Sequence, residues 1–158
     1  MTSRPDIGDS LPEVALTAPD GATVRPSDFL GRKLVLFFYP KDDTPGCTTE
    51  NKDFSALAEG FAKAGVALLG VSKDPPAKHA KFTAKHSLTA PLASDALENG
   101  LADALGIWTM KSLYGRKFLG MERTTYLVDR DGRIARVWRK VKVRGHAAEV
   151  LEAARALA

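Results

Sequence analysis

Cysteine is nearly absent from this chain: of 158 residues only Cys47 carries a thiol, so no disulfide can form within one molecule and a disulfide-stapled fold is excluded. Histidine is scarce as well. The three present, His79, His86 and His146, do not fall in metal-ligand spacing, so neither a structural zinc nor another metal or cofactor is expected. Long apolar runs are missing too. None approaches the roughly 20 residues of a membrane-spanning helix, and the start, Met1-Thr-Ser-Arg-Pro-Asp-Ile-Gly-Asp9, has no apolar core of signal-peptide length. No membrane partner is expected, and the expected compartment is the cytoplasm.

A strong excess of one charge is also lacking. The net charge is +4, with basic residues interleaved with acidic ones over most of the length, so no nucleic-acid partner is expected. The densest basic stretch, Arg133 to Arg144, alternates charged with apolar residues at a period near two and reads as a strand with one wet face. Repeats and low-complexity segments are not found. What is present suits one globular unit: 44% hydrophobic and 27% charged residues in a chain of single-domain length, with 1–158 expected as one domain.

Apolar periodicity places the elements. Val14 to Val24 reads as two short strands around the Asp20-Gly21 turn, an N-terminal β-hairpin expected to act as a lid. Lys33-Leu-Val-Leu-Phe-Phe-Tyr39 is a continuous apolar run closed by Pro40, as in a central strand covered on both faces. Phe54, Leu57, Ala58 and Phe61 have helical spacing. Val66 to Val71 is a second buried strand, and Pro75 or Pro76 opens a helix on which His79 and His86 are expected at the surface. Ala90 to Ser94, Thr124 to Val128 and Ile134 to Trp138 read as strands, Glu98 to Leu105 and Ala147 to Leu157 as helices. Tyr39 and Trp108 are expected to fill the core. Strand and helix alternate, and the chain closes with a hairpin and a helix, which indicates an α/β fold: a central mixed sheet with helices on both faces, compatible with a thioredoxin-like fold.

Cys47 falls at the strand-to-helix junction. Thr44 suits an N-cap, Pro45 the first helical position, and Cys47 then lies in the first turn, where unpaired N–H groups and the helix dipole favour negative charge. Gly46 removes a side chain beside the sulfur. A thiolate rather than a thiol attacks peroxides or disulfides, so a reactive cysteine needs such surroundings. The alternative is a small core residue, but Pro-Gly before it and Thr-Thr after it are not core neighbours.

Phe38-Tyr-Pro-Lys-Asp-Asp-Thr-Pro-Gly-Cys-Thr-Thr-Glu50 resembles the active-site segment of peroxiredoxins of the bacterioferritin comigratory protein group, also called peroxiredoxin Q. It contains the pattern Pro-x-x-x-Thr-x-x-Cys on Pro40, Thr44 and Cys47. A second segment, Tyr114 to Asp129, is similar to the same group, and weaker similarity extends over nearly the whole chain. The resemblance implies a thioredoxin-like fold and a thiol-dependent peroxidase that reduces hydrogen peroxide and organic hydroperoxides. It implies that Cys47 is the nucleophile that becomes sulfenic acid, that Thr44 bonds the sulfur or the peroxide, that Pro40 shields the site from water, and that Arg123 holds the thiolate and polarises the O–O bond. Gly46 and Glu50 are assigned to the substrate-binding side, with Glu50 orienting Arg123. Without the resemblance, Arg123 reads as a strand-start surface residue, Thr44 as a cap and Glu50 as a dipole partner.

The sequence departs from many members of that group in having Lys52 where a resolving cysteine stands, and none on the later helix near residues 98–105. The implied cycle is one-Cys, with an external thiol reductant such as thioredoxin, glutaredoxin with glutathione, or a small thiol, and a monomer or weak dimer as the assembly. The same residues also fit a redox sensor whose oxidised Cys47 signals to a partner. A disulfide reductase is disfavoured by the absence of a Cys-x-x-Cys pair.

Overall fold

In the computed structural model, which describes residues 4–157, the apolar run after Arg32 is strand β3 (Lys33–Phe38), buried at every position. Residues 1–3 and Ala158, the ends of the expected 1–158 unit, lie outside the described residues. Alternation along β3 sends side chains to opposite faces. Val35 and Phe37, with Tyr39 just beyond, enter one core; Leu34, Leu36 and Phe38 enter the other. Burying each such side chain contributes about 2 kcal/mol, so β3 ties the two layers together.

The remaining elements cover these two faces. Strands β1 (Leu16–Thr17) and β2 (Thr23–Val24) precede β3, and a single 3-10 turn lies at Pro26–Phe29. After β3 come α1 (Pro45–Ala56), α2 (Ala58–Lys63), β4 (Val66–Ser72), α3 (Pro76–His86), β5 (Leu92–Ser94) and α4 (Leu101–Ala104). Strands β6 (Trp108–Leu113), β7 (Arg116–Met121), β8 (Thr124–Val128) and β9 (Ile134–Trp138) and helix α5 (His146–Ala156) complete the described chain. The main sheet has seven strands in the order β2-β1-β5-β4-β3-β8-β9. Its β3, β4 and β5 are parallel, while β8, β9, β1 and β2 join antiparallel. Phe54 of α1, Phe61 of α2, Phe82 of α3 and Val150 of α5 cover one face, and Leu101 and Ala102 of α4 the other. The mixed sheet with helices on both faces is the architecture expected from the alternating pattern. Among the described residues no helix is long and apolar enough to cross a membrane.

Three local expectations are corrected, and one element was not foreseen. The N-terminal hairpin is not a lid: Thr17 pairs with Ser94, so the hairpin extends the sheet edge, and Leu16 is buried. The helix read through Phe54 and Phe61 is broken at Leu57 into α1 and α2. The break lets Gly60 lie against α5, where a Cβ would stand 3.2 Å from a Leu151 methyl. His79 is not at the surface but fully buried. Finally, β6 and β7 form a separate two-stranded sheet that apolar periodicity did not reveal. Tyr39 is fully buried, and Trp108 is half-buried against the second core.

Candidate active site

The β3–β8 register explains why two residues distant in sequence meet. The strands run antiparallel with Phe38 opposite Thr124, so the end of β3 lies beside the start of β8. The loop that carries the chain from Phe38 to Cys47 therefore adjoins Arg123, the residue just before Thr124. The Arg123 Nη2 donates to Cys47 Sγ at 3.4 Å, and Nη1 to Glu50 Oε1 at 2.5 Å. Glu50 is one turn after Cys47 on α1, so the helical repeat puts carboxylate and sulfur on one side, within reach of one planar fork of donors.

Cys47 is only 1% exposed, the Glu50 side chain is equally buried, and Arg123 is partly exposed above them. Burial pushes the Glu50 carboxyl up to about 7, against the opposing pull of Arg123. Burial also opposes the charge of Arg123, but Glu50 and then Cys47 outweigh it and hold the guanidinium protonated more firmly than usual. Among the described residues Glu50 Oε2 has no hydrogen-bond partner. Gly46 is exposed next to the sulfur, and a Cβ there would sit 3.3 Å from Arg123 Nη2. A side chain at this position would therefore press on the guanidinium.

Thr44 is the N-cap residue of α1 and Pro45 its first residue, but the Thr44 hydroxyl makes no capping bond. It donates to Lys41 O at 2.8 Å, leaving its lone pairs unused by that bond. Pro40 is exposed between β3 and the loop. Asn51 Nδ2 donates to Cys47 O at 2.9 Å and ties the cysteine backbone to the next turn.

Beneath the loop lies a polar scaffold that sequence reasoning missed. Asp42, fully buried as a side chain, accepts from Tyr39 Oη at 2.6 Å and pairs with His79 Nδ1 at 2.7 Å. The Asp42 amide donates to Asp74 Oδ2 at 2.8 Å, which also accepts from Ser72 Oγ at 2.6 Å. Burial works to raise the Asp74 carboxyl, but the Ser72, Asp42 and Lys78 contacts outweigh it and lower it. Burial, reinforced by Asp42, raises the Tyr39 phenol. Next in the chain, Asp43 takes a left-handed backbone with φ of 63°, and its carboxylate receives Lys85 at 2.7 Å and His86 at 2.9 Å. Those two contacts hold the Asp43 carboxyl below its ordinary range, His86 first. Helix α3 thus grips both aspartates of the loop. The available signal was the seven-residue spacing of His79 and His86, two helical turns on one side of α3.

Behind Arg123, His146 bonds Thr125 Oγ1 at 2.8 Å and packs edge-on against Phe54 and Trp138. Burial pushes this imidazole down to about 4, and the charge of Arg123 adds to the effect against Glu149. It is held neutral, as a packing and hydrogen-bonding group.

Residues 7–137 match the model of the AhpC/TSA family. The chain is 46% identical over 147 residues to the peroxiredoxin Bcp of Bacillus subtilis, covering 93% of each. Among solved structures, the bacterioferritin comigratory protein of Xanthomonas campestris, described with trapped intermediate and ligand complexes bearing on its alkyl peroxide reduction activity, is 42% identical. It superposes with a TM-score of 0.85 over 94% of this chain and 98% of that one. A PrxQ variant from Xylella fastidiosa is 38% identical, with a TM-score of 0.90 over 98% of each chain. A cysteine at a helix N-terminus under an arginine fork, on a sheet shared with these proteins, leads to one assignment: the chain belongs to the AhpC/TSA family, as a peroxiredoxin of the Bcp group with a single cysteine.

Proposed function

We propose that this chain is a thiol-dependent peroxidase that reduces hydrogen peroxide and organic hydroperoxides through a Cys47 sulfenic acid, which an external thiol resolves. The observation that carries this reading is the 3.4 Å contact from Arg123 Nη2 to Cys47 Sγ, made while Nη1 is fixed on Glu50. A guanidinium held in that way stabilises negative charge on sulfur and offers donors to the peroxide oxygens as charge moves between them. The thiolate attacks one peroxide oxygen, the O–O bond breaks, and the leaving oxygen takes a proton to depart as water or alcohol.

Thr44, its own hydrogen engaged by Lys41 O, is suited to accept the hydroperoxide O–H. Pro40 screens the entrance without offering an N–H of its own. Gly46 leaves room beside the sulfur, and Glu50 orients Arg123. The sulfenic acid then condenses with a thiol from another molecule, releasing water and forming a mixed disulfide, and a second thiol frees Cys47. Since Cys47 is 1% exposed, a bulky thiol reaches it only when the first turn of α1 opens. Thioredoxin, glutaredoxin with glutathione, or a small thiol are the candidate reductants. A monomer or weak dimer of one 1–158 domain, working in the cytoplasm, completes the proposal.

The test is single-turnover consumption of hydrogen peroxide by the reduced protein, compared with free cysteine at the same pH, with mass spectrometry of the product. A rate orders of magnitude above free cysteine and one added oxygen on Cys47 are expected, and Cys47→Ser should abolish both. A Cys47→Ser variant that still consumes peroxide would sink the mechanism. The buried lone thiol also fits a redox sensor. Sustained turnover with a physiological thiol excludes the sensor, whereas one reaction per chain without recycling favours it.

A further inference from the structure

We propose that the β6–β7 hairpin docks on lipid bilayers bearing anionic headgroups. This departs from the sequence-based expectation of no membrane partner, because the hairpin itself was not visible there. Its base is built into the fold: Trp108 pairs with Met121, which is buried, and Lys73 Nζ lies 4.9 Å from the Trp108 ring centre. Beyond the base the hairpin projects. Among the described residues, five of the eight exposed large apolar side chains, Met110, Leu113, Tyr114, Phe118 and Leu119, belong to it.

Their placement argues for the occupant. Met110 and Leu119 pair on one face, while Phe118, opposite Lys111, and Leu113, opposite Arg116, share the other. A flat protein partner covers one face of a ribbon. Side chains on both faces and at the tip are covered together by a medium that surrounds the tip, which the interfacial zone of a bilayer does.

The turn points the same way. Tyr114 and Gly115 both have left-handed φ, 51° and 76°, in a two-residue turn where Asn-Gly is the preferred pair. A side-chain-bearing residue is disfavoured in that conformation, yet the tyrosine is 96% exposed. Among the described residues nothing covers the ring. A membrane interface does, since it takes the apolar body and leaves the hydroxyl wet.

Charge selects the lipid. From Trp108 to Met121 the chain carries no Asp or Glu; Lys111 is tied back to Met121 O, while Arg116 and Lys117 are exposed beside the tip, which favours anionic headgroups and opposes pairing with a second copy of the same hairpin. Strand β7 leads through Glu122 directly into Arg123, so the Cys47 site lies at the base of the hairpin and the docking tip lies a six-residue strand beyond it.

The experiment is co-sedimentation of the full-length protein with phosphatidylcholine vesicles, with and without phosphatidylglycerol, at about 0.15 M salt. Binding to the anionic vesicles is expected, weakened about tenfold or more on neutral vesicles, by the joint change L113S, Y114S and F118S, and by R116E with K117E. All variants should consume dissolved hydrogen peroxide at the wild-type rate, which shows an intact fold. Absence of binding to anionic vesicles, or unchanged binding by the serine variant, overturns the proposal. So does a wild-type dimer that the serine changes convert to monomer, which would identify a second copy as the occupant. Unchanged vesicle binding with slowed reduction by a protein thiol would identify an acidic protein instead.

Discussion

Arg123 meets two requirements with one planar group, and a lysine can meet only one. Its fork places Nη1 on Glu50 and Nη2 on Cys47 Sγ, a division that a single ammonium cannot reproduce with both separations kept. Arg123→Lys should keep the fold but slow single-turnover peroxide consumption by about 100-fold, the scale of losing one positioned donor at a site of developing charge. Stopped-flow kinetics with unchanged circular dichroism would establish it, and a rate within a factor of about three of wild type would remove Arg123 from the mechanism. Cys47 was legible in the sequence because a helix N-terminus is a local feature: a capping type, a proline and a turn of unpaired amides within a few residues. Arg123 was not legible on physical grounds. Its contact spans 76 residues and depends on the pairing of Phe38 with Thr124, which no local pattern contains, so only family resemblance pointed to it.

At the level of elements, the site depends on α3 as much as on the helix that carries the cysteine. Replacing His79 with leucine would leave the buried Asp42 carboxylate with Tyr39 as its remaining side-chain partner. Leaving a buried polar group without one of its hydrogen-bond partners costs about 2 kcal/mol, and here the loss falls on the loop that positions Thr44 and Cys47. His79→Leu should therefore lower the urea midpoint and speed amide exchange over 41–47 more than over β3 or β8. Uniform loss of protection across the sheet would assign His79 to general packing. The strands β3 and β4 could be read from the sequence because strands buried on both faces are continuously apolar, and β8 because its residues are β-branched. The β6–β7 hairpin could not, because its apolar residues lie on both faces and its base alone is buried, which gives neither alternation nor a continuous run. Likewise, a histidine buried beneath an aspartate of a distant loop has the same local sequence as one on the helix surface.

For the molecule as a whole, two buried groups near the site act on stability over the same pH range with opposite sign. The Glu50 carboxyl is raised from 4.5 to about 7, mainly by burial. Between these values the native state holds a proton that the unfolded chain releases, so stability falls as pH rises through the window. The His146 imidazole is lowered from 6.5 to about 4, again chiefly by burial. Between those values the unfolded chain binds a proton that the native state refuses, so stability is present above 6.5 and falls as pH drops towards 4. The lowered carboxyls of Asp43, Asp74 and Asp103 act below their ordinary value of 3.8, and the raised phenols of Tyr39 and Tyr126 above 10.0, so these lie outside this window, while the Asp53 carboxyl, raised from 3.8 by burial, adds to the falling limb from its acid end. The two opposed limbs should leave the wild type nearly flat from about pH 5 to 6.5. Glu50→Gln removes the falling limb and should make stability climb with pH by about 2 kcal/mol across the window, and His146→Gln should make it decline. Urea midpoints at matched ionic strength, read against wild type, separate the limbs. If both variants kept the wild-type slope, Glu50 and His146 would titrate in the folded protein as they do in the unfolded chain, and the burial assigned to them around Arg123 would be wrong.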